Sequence, residues 1–296
     1  MNERDLLSIQ ALLEGIVGGG DGAPAILLKE ITFAKAIGGI PAGTVFPIGT
    51  SHDTILEKLA KAPTVAPTYT APTLTLASTG IPATPEVGSY ITPTFTPTWG
   101  KNDAGGPTNY VLKKGGSNIY SNASPSAYTE PQPTVTDAAV LYQATVTYAA
   151  GNIKNDSDGN PHPLGSIGAG SVNSNTISVM GSRYGFYGSD AVAAAPTTSA
   201  AIRALTGKVP AIANGSTFTI SAVAGARRIT FWYPNTLRNV SKVEYVEQGN
   251  ADYTDVFNLS SVLVEGANGY TGTLYKGYTW IPAAVIGSTM TFKVTV

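Results

Sequence analysis

Few side chains in this chain could do acid–base or metal chemistry, and their spacing argues against most of it. There is no cysteine, and the two histidines are His52 and His162. A Ser-His-Asp relay needs an imidazole held between a nucleophile and an acid. His52 falls in the first turn of an expected helix, where a surface or capping role fits. His162 stands between Pro161 and Pro163, as a rigid turn filler. Neither a Gly-x-Ser-x-Gly elbow, a phosphate-cradling loop nor a dinucleotide fingerprint sits between a strand and a helix. Two lone histidines without cysteine also lack the spacing of a familiar zinc centre. The sequence therefore predicts no catalytic residue, no cofactor and no enzyme.

The best metal candidate is Asn155-Asp156-Ser157-Asp158-Gly159-Asn160, where oxygen ligands alternate about a glycine as in calcium loops. The third acidic position and the distal Glu of an EF-hand are missing. Asp156 and Asp158 thus read first as parts of a solvated turn, with a bound ion as the alternative. Asp252 and Asp255 lie three apart on a strand-like stretch and do not make a glycosidase pair. Glu244 and Glu247 point to opposite faces of a regular strand. The remaining handle is aromatic. Tyr184, Phe186, Tyr187, Tyr270, Tyr275, Tyr278 and Trp280 crowd the last third of the chain. Such rings stack on sugars or fill interfaces; they also serve as sandwich core and cross-strand pairs. Tyr275, Tyr278 and Trp280 are the ligand-binding candidates.

The elements that must carry these residues follow from composition. Only 12% of the 296 residues are charged and the net charge is −1, about half the usual charged fraction. No basic stripe points to nucleic acid. No apolar run reaches the ~18 residues that span a bilayer, so no membrane insertion is expected. The N-terminus, Met-Asn-Glu-Arg-Asp-Leu-Leu, lacks the basic-then-apolar layout of a secretory signal. Abundant Thr, 33 Gly, 20 Pro and 15 Tyr against 3 Met favour strands and turns.

Residues 3–17 read as an amphipathic helix, with Leu6, Ile9, Leu13 and Ile16 spaced 3, 4, 3. That stripe serves either as packing on the chain's own body or as a parallel helical seam in an oligomer. Gly18-Gly19-Gly20 would end it. Residues 26–33 read as a short strand. Two Gly/Pro-punctuated pieces follow, ending in Gly43-Thr44 and Gly49-Thr50. A helix then starts, with Thr50 or Ser51 as its cap and Asp53 favourably placed in its first turn. Ile55, Leu56 and Leu59 form its apolar face, and Pro63 stops it. This β-turn-helix knot is too small to hold a core alone, so residues 1–61 read as a docking and assembly segment buried by other chains.

Residues 62–72 read as an extended linker of polyproline character. Beyond it, short strands alternate with turns, which argues for two β-sandwich modules, 73–181 and 182–296. In the first, strands are expected over 73–76, 90–99, 109–113, 118–120, 128–135, 140–149 and 176–180. Prolines in 90–99 predict an edge or a bulge, and Gly115-Gly116 predicts a hairpin turn. Trp99 and an aromatic late strand give this module an Ig-like character without the Ig disulfide. In the second, a strand opens at Arg183-Tyr184-Gly185-Phe186-Tyr187-Gly188, a short helix covers 199–205, and strands cover 217–223, 228–233, 242–247, 253–259, 272–280 and 288–296.

These residues carry a family resemblance. Gly38-Gly39-Ile40-Pro41-Ala42-Gly43-Thr44 with Gly49-Thr50-Ser51 and Ile55-Leu56-Glu57-Lys58-Leu59, then Lys101-Asn102-Asp103-Ala104-Gly105-Gly106 after a Thr-rich strand, and Arg183 to Gly188, resemble bacteriophage virion fibre proteins of phages with Bacteroidetes-type hosts. The resemblance implies a head, neck or tail fibre with an N-terminal virion-docking segment, Ig-like or other β-modules and a distal β-domain. It implies a homotrimer located in the virion, with capsid, portal, neck or tail proteins as partners. It brings no catalytic residue. A different class stays open beside it: an adhesin that binds a host receptor or surface glycan through the last module.

Overall fold

Strand-forming Thr, Val, Ile and Tyr dominate this chain, and the computed structural model is accordingly mainly β, built from several antiparallel sheets. It describes residues 16–17, 26–37, 39–61 and 65–296. These divide into two compact units. One holds the described residues up to Ala71 together with Asp103–Gly105 and Ala150–Gly168; the other holds Pro72–Asn102, Gly106–Ala149 and Ala169–Val296.

In the first unit, β1 (Ile16–Val17) pairs antiparallel with β2 (Ile26–Leu27). The expected helix over 3–17 therefore does not run through Ile16. Ile16 and Val17 are both β-branched, which favours the strand. Leu6, Ile9 and Leu13 lie outside the described residues. The single strand expected over 26–33 is broken by a bend at residues 28–29 into β2 and β3 (Ile31–Thr32). β4 (Val45–Phe46) lies against β3, with Ile31 opposite Phe46 and Thr32 opposite Val45.

Two turns of one design flank β4. The Thr44 N–H donates to the Pro41 carbonyl and the Thr50 N–H to the Pro47 carbonyl, both at 3.2 Å. The third residue of each, Gly43 and Gly49, has φ of +82° and +88°, as a type II turn demands. The helix α1 (His52–Ala60) then begins with Ser51 as its cap, whose Oγ accepts the Thr54 N–H at 3.2 Å. Its buried residue is Ile55, which meets Leu27, Phe33, Ile40 and Phe46 in a small core.

The stretch after α1 is extended, as expected, but it is not a free tether. The Ser157 N–H donates to the Val65 carbonyl at 3.1 Å and the Val65 N–H to Ser157 Oγ at 2.8 Å. Asp103 Oδ2 accepts the Thr70 N–H and the Lys154 ammonium, each at 2.7 Å, and Lys154 Nζ also reaches the Thr68 carbonyl at 2.8 Å. Tyr69 bonds through its hydroxyl to the Gly165 carbonyl and accepts the Lys154 N–H at 3.0 Å. Residues 65–70 are thus laced to the polar loop that the sequence placed far away.

The second unit contains two sandwiches. The first is made of β5 (Thr73–Thr79), β6 (Thr94–Gly100), β7 (Pro107–Lys114), β8 (Ser117–Asn122), β9 (Tyr128–Thr129), β10 (Val140–Tyr148) and β11 (Gly170–Val179). One sheet has the order β5-β6-β9, the other β11-β10-β7-β8. This is an Ig-like division of seven strands, with the fourth strand on the larger sheet. Leu74, Phe95, Tyr110, Leu112, Tyr142, Ala144 and Val146 fill the space between. Lys114 pairs with Ser117 across the Gly115-Gly116 turn. Pro97, opposite Leu76, is tolerated because β9 covers only Thr94 and Phe95, leaving β6 an open side there. The strand expected over 128–135 shrinks to two residues, since Pro131 and Pro133 remove ladder donors.

The second sandwich contains β12 (Gly185–Asp190), α2 (Ser199–Arg203), β13 (Gly207–Val209), β14 (Thr217–Ala222), β15 (Arg228–Pro234), β16 (Lys242–Tyr245), β17 (Ala251–Asp252), β18 (Asn258–Val264), β19 (Thr273–Trp280) and β20 (Met290–Thr295). A five-stranded sheet, β13-β12-β15-β19-β18, faces a four-stranded one, β14-β20-β16-β17. Phe231, Tyr233 and Tyr278 meet Ile220, Val243, Phe292 and Val294 between them. The outer face of the larger sheet is covered too, where Phe186, Trp232, Val264 and Tyr275 pack with Ile202 of α2. This double burial makes β15 buried along its whole length. The strand expected over 253–259 is replaced by a single 3-10 turn at Thr254–Val256, because Asp252 Oδ1 accepts the Thr254 N–H at 2.9 Å and its hydroxyl at 2.6 Å. The real strand starts later, at Asn258.

Candidate docking surface

The N-terminal knot separates its apolar residues by the side they face. Along β2 to β4, side chains alternate. Leu27, Phe33 and Phe46 point into the small core, and the Phe33 and Phe46 rings meet edge-on at 5.7 Å. Their neighbours point away. Ile26, Leu28, Val45, Ile48 and Leu56 are 39%, 56%, 46%, 67% and 45% exposed. Ile48 is held outward because it occupies the second position of the Pro47–Thr50 turn.

The residues expected to dock divide accordingly. Ile55 is fully buried by its own chain, which corrects the expectation that another chain covers it. Leu59 is partly buried against the same core. Leu56, one residue round the helix from Ile55, faces solvent. Ile16 sits in β1. The exposed set therefore comes from the hairpin and its turn as much as from the helix. Alternation along 26–33 and 45–48 could have found it, had the hairpin been recognised.

The aromatic candidates are placed differently from the expectation. Tyr275 and Tyr278 are 3% and 6% exposed. They point to opposite faces of β19, and both faces are covered. The Tyr275 hydroxyl donates to the Tyr184 carbonyl at 2.9 Å, and burial pushes its pKa up. The Tyr278 hydroxyl accepts the Val240 N–H at 3.2 Å. Both are core, and neither offers a ring face to a ligand. Trp280 is half-buried and packs edge-on against Tyr253 and Phe292, at 6.0 and 5.7 Å.

The acidic loop is organised around its own backbone. Asp156 Oδ1 accepts the N–H groups of Asp158 and Asn160, both at 2.9 Å, and Asp158 pairs with Lys61 at 3.0 Å. Among the described residues no group of three or more His, Asp and Glu side chains is gathered as a metal would need. His162 accepts the Leu164 N–H at 3.4 Å, with its ring 6.5 Å from Tyr69.

A cleft of about 380 Å³ opens in the second unit, lined by Asp137, Arg183, Ile212, Pro234, Leu237 and Thr273 among others. Its charges are mutually satisfied. Arg183 donates to Asp137 at 3.0 Å and lies over the Tyr270 ring, which holds the Asp137 carboxyl below the usual range. No family model, curated protein or solved structure matches this chain.

Proposed function

We propose that this chain is a non-enzymatic structural subunit of a bacteriophage particle, attached through its N-terminal unit and projecting its β-modules. The observation that supports it most is the unbalanced apolar surface of the knot. Its core contains five buried side chains, while five large apolar residues of the same stretch, Ile26, Leu28, Val45, Ile48 and Leu56, stay exposed. A contiguous exposed apolar patch marks an interaction site, and this reading takes these residues as one patch. The low charge, the lack of cysteine and the Thr-rich sandwiches suit a subunit that folds without cofactors and packs against others. The virion assignment itself rests on the sequence resemblance, and with it the expectation of a trimer contacting capsid, portal, neck or tail proteins. The docking face in this reading is Ile26, Leu28, Val45, Ile48 and Leu56.

The adhesin reading gains no support from the buried Tyr275 and Tyr278. The test is deletion of residues 1–61. The shortened chain stays soluble and fails to enter particles when supplied to phage lacking the full-length protein. Loading of the shortened chain onto virions would refute the docking role.

A further inference from the structure

Sheet edges are reactive, because a terminal strand presents unpaired N–H and C=O groups to any other strand. β18 is the end strand of the five-stranded sheet, hydrogen-bonded to β19 on one side. Proteins usually blunt such edges with Lys, Pro, a bulge or short length. β18 has none of these within its own residues; a helix, α2, is tied only to its far end, where Ser199 Oγ accepts the Glu265 N–H and Arg203 donates to the Glu265 carbonyl, both at 2.9 Å. It is seven residues long, Asn-Leu-Ser-Ser-Val-Leu-Val, without charge, proline or glycine. Its register with β19 runs unbroken from Asn258 opposite Thr279 to Val264 opposite Thr273.

One face of this edge is also oily. Leu259 and Leu263 are 57% and 62% exposed, and Leu274, directly opposite Leu263 on β19, is 44% exposed. The opposite face carries Val262 and Val264 into the core under α2. From these features we infer that β18 is a homotypic interface, its free edge pairing antiparallel with β18 of a second copy of this chain about a twofold axis at Ser261.

The self-fit follows from the strand itself. Ser261 is the middle residue of 258–264. A twofold there sets Leu259 of one copy against Leu263 of the other, twice, with Ser261 facing its own mate. An isologous contact always opposes a residue and its symmetry mate across the axis, so a charge near the axis would repel itself. Here no charged side chain lies within the strand. The contact joins two sheets edge to edge and covers the leucines that the single chain leaves wet. It uses none of the N-terminal docking residues, and in a trimer it would join a chain of one trimer to a chain of another.

The natural absence of cysteine makes a direct test available. Residues opposite one another on antiparallel strands have Cα atoms about 4.5–5.5 Å apart, within disulfide range. The full chain carrying Ser261→Cys should oxidise to a covalent dimer at least tenfold faster than one carrying Ser121→Cys, placed on the uncharged edge strand β8. Adding Leu263→Lys, at an exposed position that leaves the fold and circular dichroism unchanged, should return that rate to the control value. Equal rates for Ser261→Cys and Ser121→Cys would overturn the proposal. So would a fast rate that Leu263→Lys leaves untouched. Slow cross-linking combined with reduced particle loading of the Leu263→Lys chain would assign the edge to a different protein and overturn the second-copy assignment.

Discussion

Ile55 and Leu56 are adjacent on α1 and should fail in different ways. Ile55 is fully buried in a core of five side chains. Truncating a buried Ile to Ala costs about 2–5 kcal/mol. A core this small supplies a stability of about 3–5 kcal/mol at most, so Ile55→Ala should open the knot. The structure names the amides that report it. Leu27 N–H donates to Thr50 at 2.9 Å, Phe33 N–H to Thr44 at 2.9 Å and Gly39 N–H to Lys58 at 2.8 Å. Their hydrogen-exchange protection should fall about thirtyfold or more, since each 1.4 kcal/mol is a factor of ten. Leu56→Lys should change the same amides by less than about threefold, because exposed substitutions stay within about 0.5 kcal/mol. In particle loading the order changes. The half-exposed Leu56 has about 1 kcal/mol of burial still to gain, and a lysine there brings an unpaired charge into the contact, so loading should drop tenfold or more. Unchanged protection in Ile55→Ala would refute the idea that this core holds the knot together. Loss of protection in Leu56→Lys would refute the division into inward and outward residues.

Two further outcomes follow from the body of the chain. Asp103→Asn should loosen the lacing of residues 65–70 and speed tryptic cleavage after Lys154, whose ammonium loses its carboxylate. Lys154 and the Thr70 N–H hold the Asp103 pKa below its ordinary 3.8. A carboxyl lowered on folding stabilises above the unfolded value and loses that effect as pH falls through the folded value, so in the natural chain the lacing should loosen only in strong acid, read as hydrogen-exchange protection of the Thr70 and Lys154 amides relative to their intrinsic rates; equal protection at pH 2 and pH 6 would contradict this. Gly277→Ala should destabilise the second sandwich by about 1–3 kcal/mol through overpacking, because a Cβ there would sit 2.3 Å from the Trp232 ring; a melting temperature within a degree of the natural chain would contradict it.

Much of the fold was legible where local chemistry decides. The Gly115-Gly116 hairpin and the Ser51 cap follow from residues a few places apart, whereas β6, expected at an edge for its prolines, lies between β5 and β9. The mainly β class follows from composition. What stayed hidden was non-local. Asn175 accepts the Leu76 N–H at 2.8 Å and donates to the Leu76 carbonyl at 3.0 Å, standing in for a strand neighbour from 99 residues away. Nothing in the spacing of either residue announces that. The same holds for Tyr69 reaching Gly165 and Lys154. In the candidate sites, alternation along β19 correctly sends Tyr275 and Tyr278 to opposite faces, but it cannot tell that α2 covers the second face. Ile55 was recognisable as apolar, while its partners Leu27, Phe33, Ile40 and Phe46 were scattered over a hairpin whose bend was not anticipated.

The junction of the two sandwiches has a mechanical meaning. Residues 86–88 are held from both sides. The Val87 N–H donates to the Ser182 carbonyl at 3.1 Å, the Ala267 N–H to the Val87 carbonyl at 2.8 Å, and Asn268 Nδ2 to the Gly88 carbonyl at 3.0 Å. Glu86 meets Arg203 at 2.6 Å, and the Tyr184 hydroxyl donates to the Thr84 carbonyl at 2.6 Å. A tug on the two modules would load these links together rather than one after another. Such a joint behaves as a weld: it passes torque from one sandwich to the other and denies the pair the swivel that a bare tether would give.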